Sequence, residues 1–321
     1  MWYPAATAGA ALSFGDLVAL TGNETSFDFG KPSDAVPAAV SAVQPYRDFL
    51  GKAGASPEEV DRWLAARMKA SRNAPPAKGR APLVLIAQGN GDSAVDQVFL
   101  AEALALHGYV VATTPSQARI GGPMKSEDEI PGQADAQATD LAFVLSVLQS
   151  DAHIQRGRYG LVAHSFGARS ALLLAMRDPG AVALVSLDGG IGAKTGKGLL
   201  EKARGFDPSR ATAPILHLYE EADAFMTPDF DLLRSLERCD RWLVRVDSMR
   251  HVHFSSTGIL VRAMPSIAAR TSADSPTAAA WDAVAESTAG FLDRFLAKRA
   301  AEPRWSPPES PLLHPLFLPR S

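Results

Sequence analysis

Six short apolar runs, at residues 83–87, 109–113, 159–163, 183–187, 215–219 and 242–246, alternate with stretches of helical spacing through the middle of the chain. A run that is apolar at every position suits a strand buried on both faces, and helices between such strands supply the crossovers of a parallel sheet. The pattern therefore predicts an α/β fold, a mostly parallel central sheet with helices on both faces. Helices are expected over 133–148, over the residues after Ser165, and over 228–238, with Thr227 as the cap and Pro228 at the first helical position. In sheets of this kind ligands gather beyond the carboxyl ends of the strands. The residues just after each run are the place to look for chemistry.

One of those ends stands out. Residues 158–174 read as a buried strand, a serine at a sharp corner and a departing helix, and Ala163-His164-Ser165-Phe166-Gly167 is the nucleophile-elbow pattern with alanine for its first glycine. Small flanking residues let the strand and helix backbones approach, and the corner lifts the Ser165 hydroxyl clear of the sheet edge beside a helix N-terminus. A serine hydroxyl is too weakly acidic to attack an ester unaided. It needs a base, a carboxylate that orients the base, and donors for the developing oxyanion. His251, in the loop after the last run, is the expected base and His253 its competitor. His107, His153, His217 and His314 fall on helices, in a strand or in the tail, and His164 is read as packing, its side chain turned away from the serine. The backbone N–H groups of Phe166 and of Asn90, within Gln88-Gly89-Asn90-Gly91-Asp92, are the expected oxyanion donors.

Two positions compete for the acid. Asp188 follows the fourth run directly, ahead of Gly189 and Gly190, and Asp223 lies after the fifth run beside Glu220 and Glu221. A carboxylate at the immediate end of a buried strand is rigidly held and desolvated, which favours Asp188. An acidic cluster more often marks a solvated loop.

Other chemistries fit less well. Gly89-Asn90-Gly91-Asp92-Ser93-Ala94 loosely matches a dinucleotide-binding turn, but the second strand ends Ala112-Thr113-Thr114-Pro115-Ser116 without the carboxylate that would bind a ribose. Gly192-Ala193-Lys194-Thr195-Gly196-Lys197-Gly198 misses a phosphate loop at both ends, and is read as a mobile loop near the site. With 32 Lys plus Arg against 35 Asp plus Glu and no long basic run, nothing points to a nucleic-acid surface. No apolar run approaches the ~20 residues that span a bilayer. Cys239, the single cysteine, cannot form an internal disulfide or a cysteine-rich metal site, and its apolar surroundings predict core packing. No metal or cofactor is expected.

The flanks divide from this core. Residues 1–80 are read as an N-terminal segment with an edge strand and covering helices, 81–300 as the catalytic core and 301–321 as a proline-rich tail. Ser56-Pro57-Glu58-Glu59 is a helix start with a capping box, after which Val60, Trp63, Leu64 and Met68 recur at helical spacing. A final helix is expected over 277–298. The tail from Glu302 carries six prolines, which exclude helix and central strand and leave an extended segment draped over the molecule or a neighbour. Met1-Trp2-Tyr3-Pro4 lacks the regions of a signal peptide, and the abrupt start at a strand suggests a trimmed leader and an exported protein.

With these residues in place, the chain resembles the α/β-hydrolase superfamily, and within it exported bacterial proteins similar to platelet-activating-factor acetylhydrolase and dienelactone hydrolase. The resemblance rests on Trp2-Tyr3-Pro4-Ala5, on residues 82–114 with His107-Gly108-Tyr109-Val110-Val111, on the elbow, on Ser186-Leu187-Asp188-Gly189, and on His251-Val252-His253-Phe254. It implies a Ser-His-Asp carboxylic ester hydrolase free of metal and cofactor, acting on a small-molecule ester. It also favours His251 over His253, because Phe254 stands three positions after it, and places the acid after the strand next to the elbow. Gln88 and Ala163 depart from the family pattern and bear on substrate preference. The same machinery could serve a thioester, an amide or a polyester, or the fold could host a non-enzymatic binding protein; a homo-oligomer is left open.

Overall fold

The six apolar runs lie side by side in one sheet of a computed structural model that describes residues 1–24, 35–116, 122, 124–271, 276–298 and 304–321. Two strands, β1 (Ala11–Ser13) and β2 (Arg67–Ser71), pair antiparallel as a separate ribbon. The main sheet contains β3 (Ala81–Ala87), β4 (Val110–Thr113), β5 (Ile154–His164), β6 (Ala181–Leu187), β7 (Ile215–Tyr219), β8 (Arg241–Val246) and β9 (Leu313–Leu318). Their order across the sheet is β4-β3-β5-β6-β7-β8-β9, parallel throughout except that β9 runs antiparallel to β8.

Continuous apolarity has the expected cause. Along β3, Leu83, Leu85 and Ala87 face a layer built by the helices Ile130–Leu148 and Gly167–Arg177. The alternate residues Val84 and Ile86 face the other layer, built by the helices Val98–Leu106 and Thr277–Phe295. The strand order reverses between β3 and β5, so the loop after β3 and the corner after β5 open side by side. That is the crevice such sheets use for ligands.

The N-terminal segment builds a third core. Phe14, Leu17, Leu50, Val60 and Trp63 pack with Val95, Val98, Leu260 and Met264, against the segments that follow β3 and β8. The helix Pro57–Leu64 starts in a capping box: Ser56 Oγ accepts the Glu59 N–H at 3.2 Å and Glu59 Oε2 accepts the Ser56 N–H at 2.8 Å. Trp2 exchanges two backbone bonds with Val111 outside the β4 edge, each 2.8 Å.

Met68 continues no helix; the helix stops at Leu64 and Met68 points inward from β2. In place of a helix over 228–238 there is one turn, Asp231–Ser235, because Asp229 N–H is drawn to Gly192 O at 2.7 Å and the Thr227 carbonyl accepts from Lys194 at 3.0 Å. Those two bonds also pin the stretch 192–198, read as a mobile loop, in which Gly192 is buried and Gly196–Leu200 is helical. The tail is extended, yet residues 313–318 form a strand of the sheet itself. Pro315 is tolerated there because β9 is an edge strand, where a missing N–H breaks no ladder. Glu302 and Pro303 lie outside the described residues.

Candidate active site

The elbow is built from close approach. A Cβ on Gly167 would lie 2.3 Å from the Ala87 carbonyl oxygen and 2.6 Å from that of Gln88, so only glycine lets the helix begin against the end of β3. Ser165 sits between strand and helix at φ 52°, a left-handed conformation that non-glycine residues seldom adopt. The corner is held by Ser165 N–H to Leu187 O at 3.1 Å and by Gly190 N–H to Ser165 O at 2.8 Å, which bind it to the end of β6.

Asp188 terminates that strand at φ 42°, only 3% exposed, and its N–H donates to Leu218 O at 2.7 Å. His251 opens the single 3-10 turn His251–Phe254 after β8. The structure brings the three together: His251 Nε2 lies 2.9 Å from Ser165 Oγ, and His251 Nδ1 lies 2.6 Å from Asp188 Oδ2. All three side chains are buried. A hydroxyl, an imidazole and a carboxylate linked in this order can move a proton off the hydroxyl while the carboxylate keeps the ring oriented.

Asp223 approaches the same histidine differently. Its Oδ2 accepts the His251 backbone N–H at 3.3 Å and Oδ1 accepts the Phe225 N–H at 2.9 Å. Burial alone would raise its carboxyl, but those donors outweigh burial and hold it below the ordinary carboxylate range. The neighbouring Glu220 is no solvated loop residue. It is fully buried, its N–H donates to Asp188 Oδ1 at 3.3 Å, and its carboxyl turns back on the Ala222 and Asp223 N–H groups. Burial, reinforced by the Asp188 charge, pushes the Glu220 carboxyl up to about 7.

The expected oxyanion donors also lie at strand ends. Among the described residues, the Phe166 and Asn90 amides donate to no other protein group. Gln88 faces away, its side-chain amide donating to Thr113 Oγ1 at 2.9 Å, while its carbonyl accepts from Gln137, which in turn accepts from Ser170. This chain of bonds fixes the loop after β3 to both helices of one layer.

The other histidines are placed by their partners. His253 Nδ1 accepts the Arg250 N–H at 3.0 Å and closes the turn that carries His251. His217 is buried within β7, 2.9 Å from Ser186 Oγ, and burial lowers it to about 4 against the pull of Asp188. His164 does more than pack: its ring is hydrogen-bonded to Asp92 at 2.9 Å and lies against the His251 ring. On the outer side of His251 sits Phe225, 72% exposed, with ring centroids 4.6 Å apart. No apolar period marks Phe225, so the sequence offers no local signal for it. Among the described residues no group of three or more His, Cys, Asp or Glu is arranged to hold a metal ion, and no helix is long and apolar enough to cross a membrane.

No family model and no curated protein matches the chain. Among solved structures it is similar to a ferulic acid esterase from Streptomyces cinnamoneus, with 21% identity, a TM-score of 0.61, and coverage of 80% of this chain and 79% of that one. A parallel sheet with this order, helices on both faces and a serine corner at its reversal, matched over four-fifths of its length to that enzyme, has the α/β-hydrolase fold.

Proposed function

We propose that this chain is a serine hydrolase that cleaves carboxylic esters through an acyl-enzyme on Ser165. The carrying observation is the linked series Ser165 Oγ, His251 and Asp188, at 2.9 and 2.6 Å, beside the strand reversal. His251 Nε2 takes the hydroxyl proton as Ser165 Oγ attacks the ester carbonyl, and Asp188 holds the ring and stabilises the imidazolium that forms. The Phe166 and Asn90 N–H groups receive the oxyanion. His251 then returns its proton to the leaving alcohol, and a water deprotonated by the same ring releases the acid. The name of the structural neighbour, a ferulic acid esterase, agrees with this class of reaction. The narrower kinship with acetylhydrolase- and dienelactone-hydrolase-like proteins is part of the proposal and rests on the sequence resemblance.

A panel of nitrophenyl esters from acetate to long acyl chains, run with a fluorophosphonate probe, tests the reading. Ser165→Ala is expected to abolish turnover and labelling while the thermal melt is retained, with a residual rate above the uncatalysed one from the oxyanion donors. Labelling that persists in Ser165→Ala would place the nucleophile elsewhere.

A further inference from the structure

The proposed oxyanion loop and the proposed base loop reach the site from different strands, and one buried side chain touches both. His164 Nδ1 lies 2.9 Å from Asp92 Oδ2, in the loop after β3, and His164 Nε2 lies 3.4 Å from the His251 carbonyl oxygen, after β8. The same Asp92 oxygen accepts the Gly89 N–H at 3.0 Å, one residue before Asn90. Closure is tight: a Cβ at position 89 would stand 2.4 Å from that oxygen and 3.0 Å from the His164 ring nitrogen.

Both ring nitrogens of His164 therefore face acceptors. A neutral imidazole carries a single N–H, so either tautomer sets a lone pair against an oxygen, whereas the imidazolium donates at both positions. The charged and titratable groups around the ring are Asp92 in contact, Asp188 at the end of β6, and His251 and His253 in the turn after β8. Burial works against a charged ring; the bond to Asp92, the Asp92 and Asp188 charges and the His251 carbonyl outweigh it and raise His164 above the ordinary histidine range. Its ring centroid is 5.1 Å from that of His251, with 27° between the planes.

We propose that His164 is a positioning residue, a buried imidazolium anchored by Asp92 that clamps the oxyanion loop to the base loop. The inference rests on the serine-hydrolase reading and gives the residue before the nucleophile a task within it. Asp188 orients the base from one side; the Asp92–His164 pair sets its distance from the oxyanion donors from the other.

Two variants of the full chain test this. Asp92→Asn keeps the size of the anchor and removes its charge, and His164→Gln removes the ring. Nitrogen-15 NMR of the wild-type chain at pH 7 is expected to show both His164 ring nitrogens protonated, and Asp92→Asn to show one. In both variants kcat for nitrophenyl acetate falls by about tenfold to a hundredfold with KM within about twofold, because the loss falls on oxyanion stabilisation and not on ground-state binding. A His164 with one protonated nitrogen in the wild type overturns the proposal. So does a kcat that stays within about twofold of the wild type in variants whose melts match it, since that outcome leaves His164 as packing alone. If the wild type neither hydrolyses esters nor takes the probe, the hydrolase reading falls, and the NMR result still decides the charge of His164.

Discussion

Exchanging Asp188 for asparagine strikes the site at its shortest contact. The carboxylate accepts from His251 Nδ1 at 2.6 Å with only 3% of the residue exposed, so no water can replace it without reopening the core. Asparagine keeps the shape but puts an N–H within reach of the ring. With that N–H turned to Nδ1, the imidazole carries its own proton on Nε2 and cannot accept the one on Ser165. The same exchange in the best-studied triad costs a factor of about 10⁴ in kcat, or roughly 5 kcal/mol of transition-state stabilisation at about 1.4 kcal/mol per decade. Asp223 gives the contrast. Its Oδ2 accepts the His251 backbone N–H, at 3.3 Å, and the carbonyl of an asparagine can still accept that bond. Asp223→Asn should cost about 1 kcal/mol, which is less than about tenfold in rate. Both variants are measured for kcat on nitrophenyl acetate at a pH above the acid limb, with circular dichroism to show that each is folded. The reasoning fails if Asp223→Asn loses about three decades or more while Asp188→Asn stays within about tenfold.

Other consequences follow from groups around this contact. His217 is lowered to about 4 by burial, so the native chain leaves it neutral where the unfolded chain, near pH 6.5, takes up a proton; stability is complete above that pH and lost as pH falls toward 4. Urea unfolding should show a loss of about 2 to 3 kcal/mol between pH 7 and 4.5 that His217→Asn largely removes, and an unchanged slope in that variant would refute the assignment. Gly167→Ala should give little soluble, folded protein, since its Cβ would meet the Ala87 carbonyl at 2.3 Å; a normal melt for the variant would mean that the corner can relax. Phe225→Ala should leave the melting temperature within about 2 °C, because a ring 72% exposed buries little. It should nevertheless raise KM for aryl esters more than for alkyl esters, and equal effects on both would show that the ring does not contact substrate.

How much of this is legible without coordinates depends on the kind of signal. Strands buried on both faces announce themselves as unbroken apolar runs, and all six such runs lie in the sheet. The corner at Ser165 is legible because strand, small residues and helix occur in order along a few positions. β9 is not, since its residues Leu313–Leu318 include Pro315 and an exposed His314, and its strand character comes from pairing with β8 some seventy positions earlier. The choice between Asp188 and Asp223 is open in the sequence for a related reason: both follow buried strands, and both reach His251, one at the ring and one at the backbone. The Asp92–His164 bond spans 72 positions, and no local pattern carries it. The stretch 228–238 misleads because a threonine-proline start is a local helix signal that the backbone bonds to residues 192 and 194 override.

The two margins of the main sheet bear on how copies of this chain can meet. One margin, β4, is capped by the antiparallel bridge from Trp2, and at the other, β9 presents Pro315, which has no N–H to offer an incoming strand. Open strand margins are the usual template for edge-to-edge association and for aggregation, and short caps and prolines are among the ways chains blunt them. Continuation of this sheet across a two-fold axis is therefore disfavoured at both ends. Away from the strand margins, Phe143 and Val147, one turn apart on the helix Ile130–Leu148, stand exposed as an apolar pair that side-chain packing between copies could use.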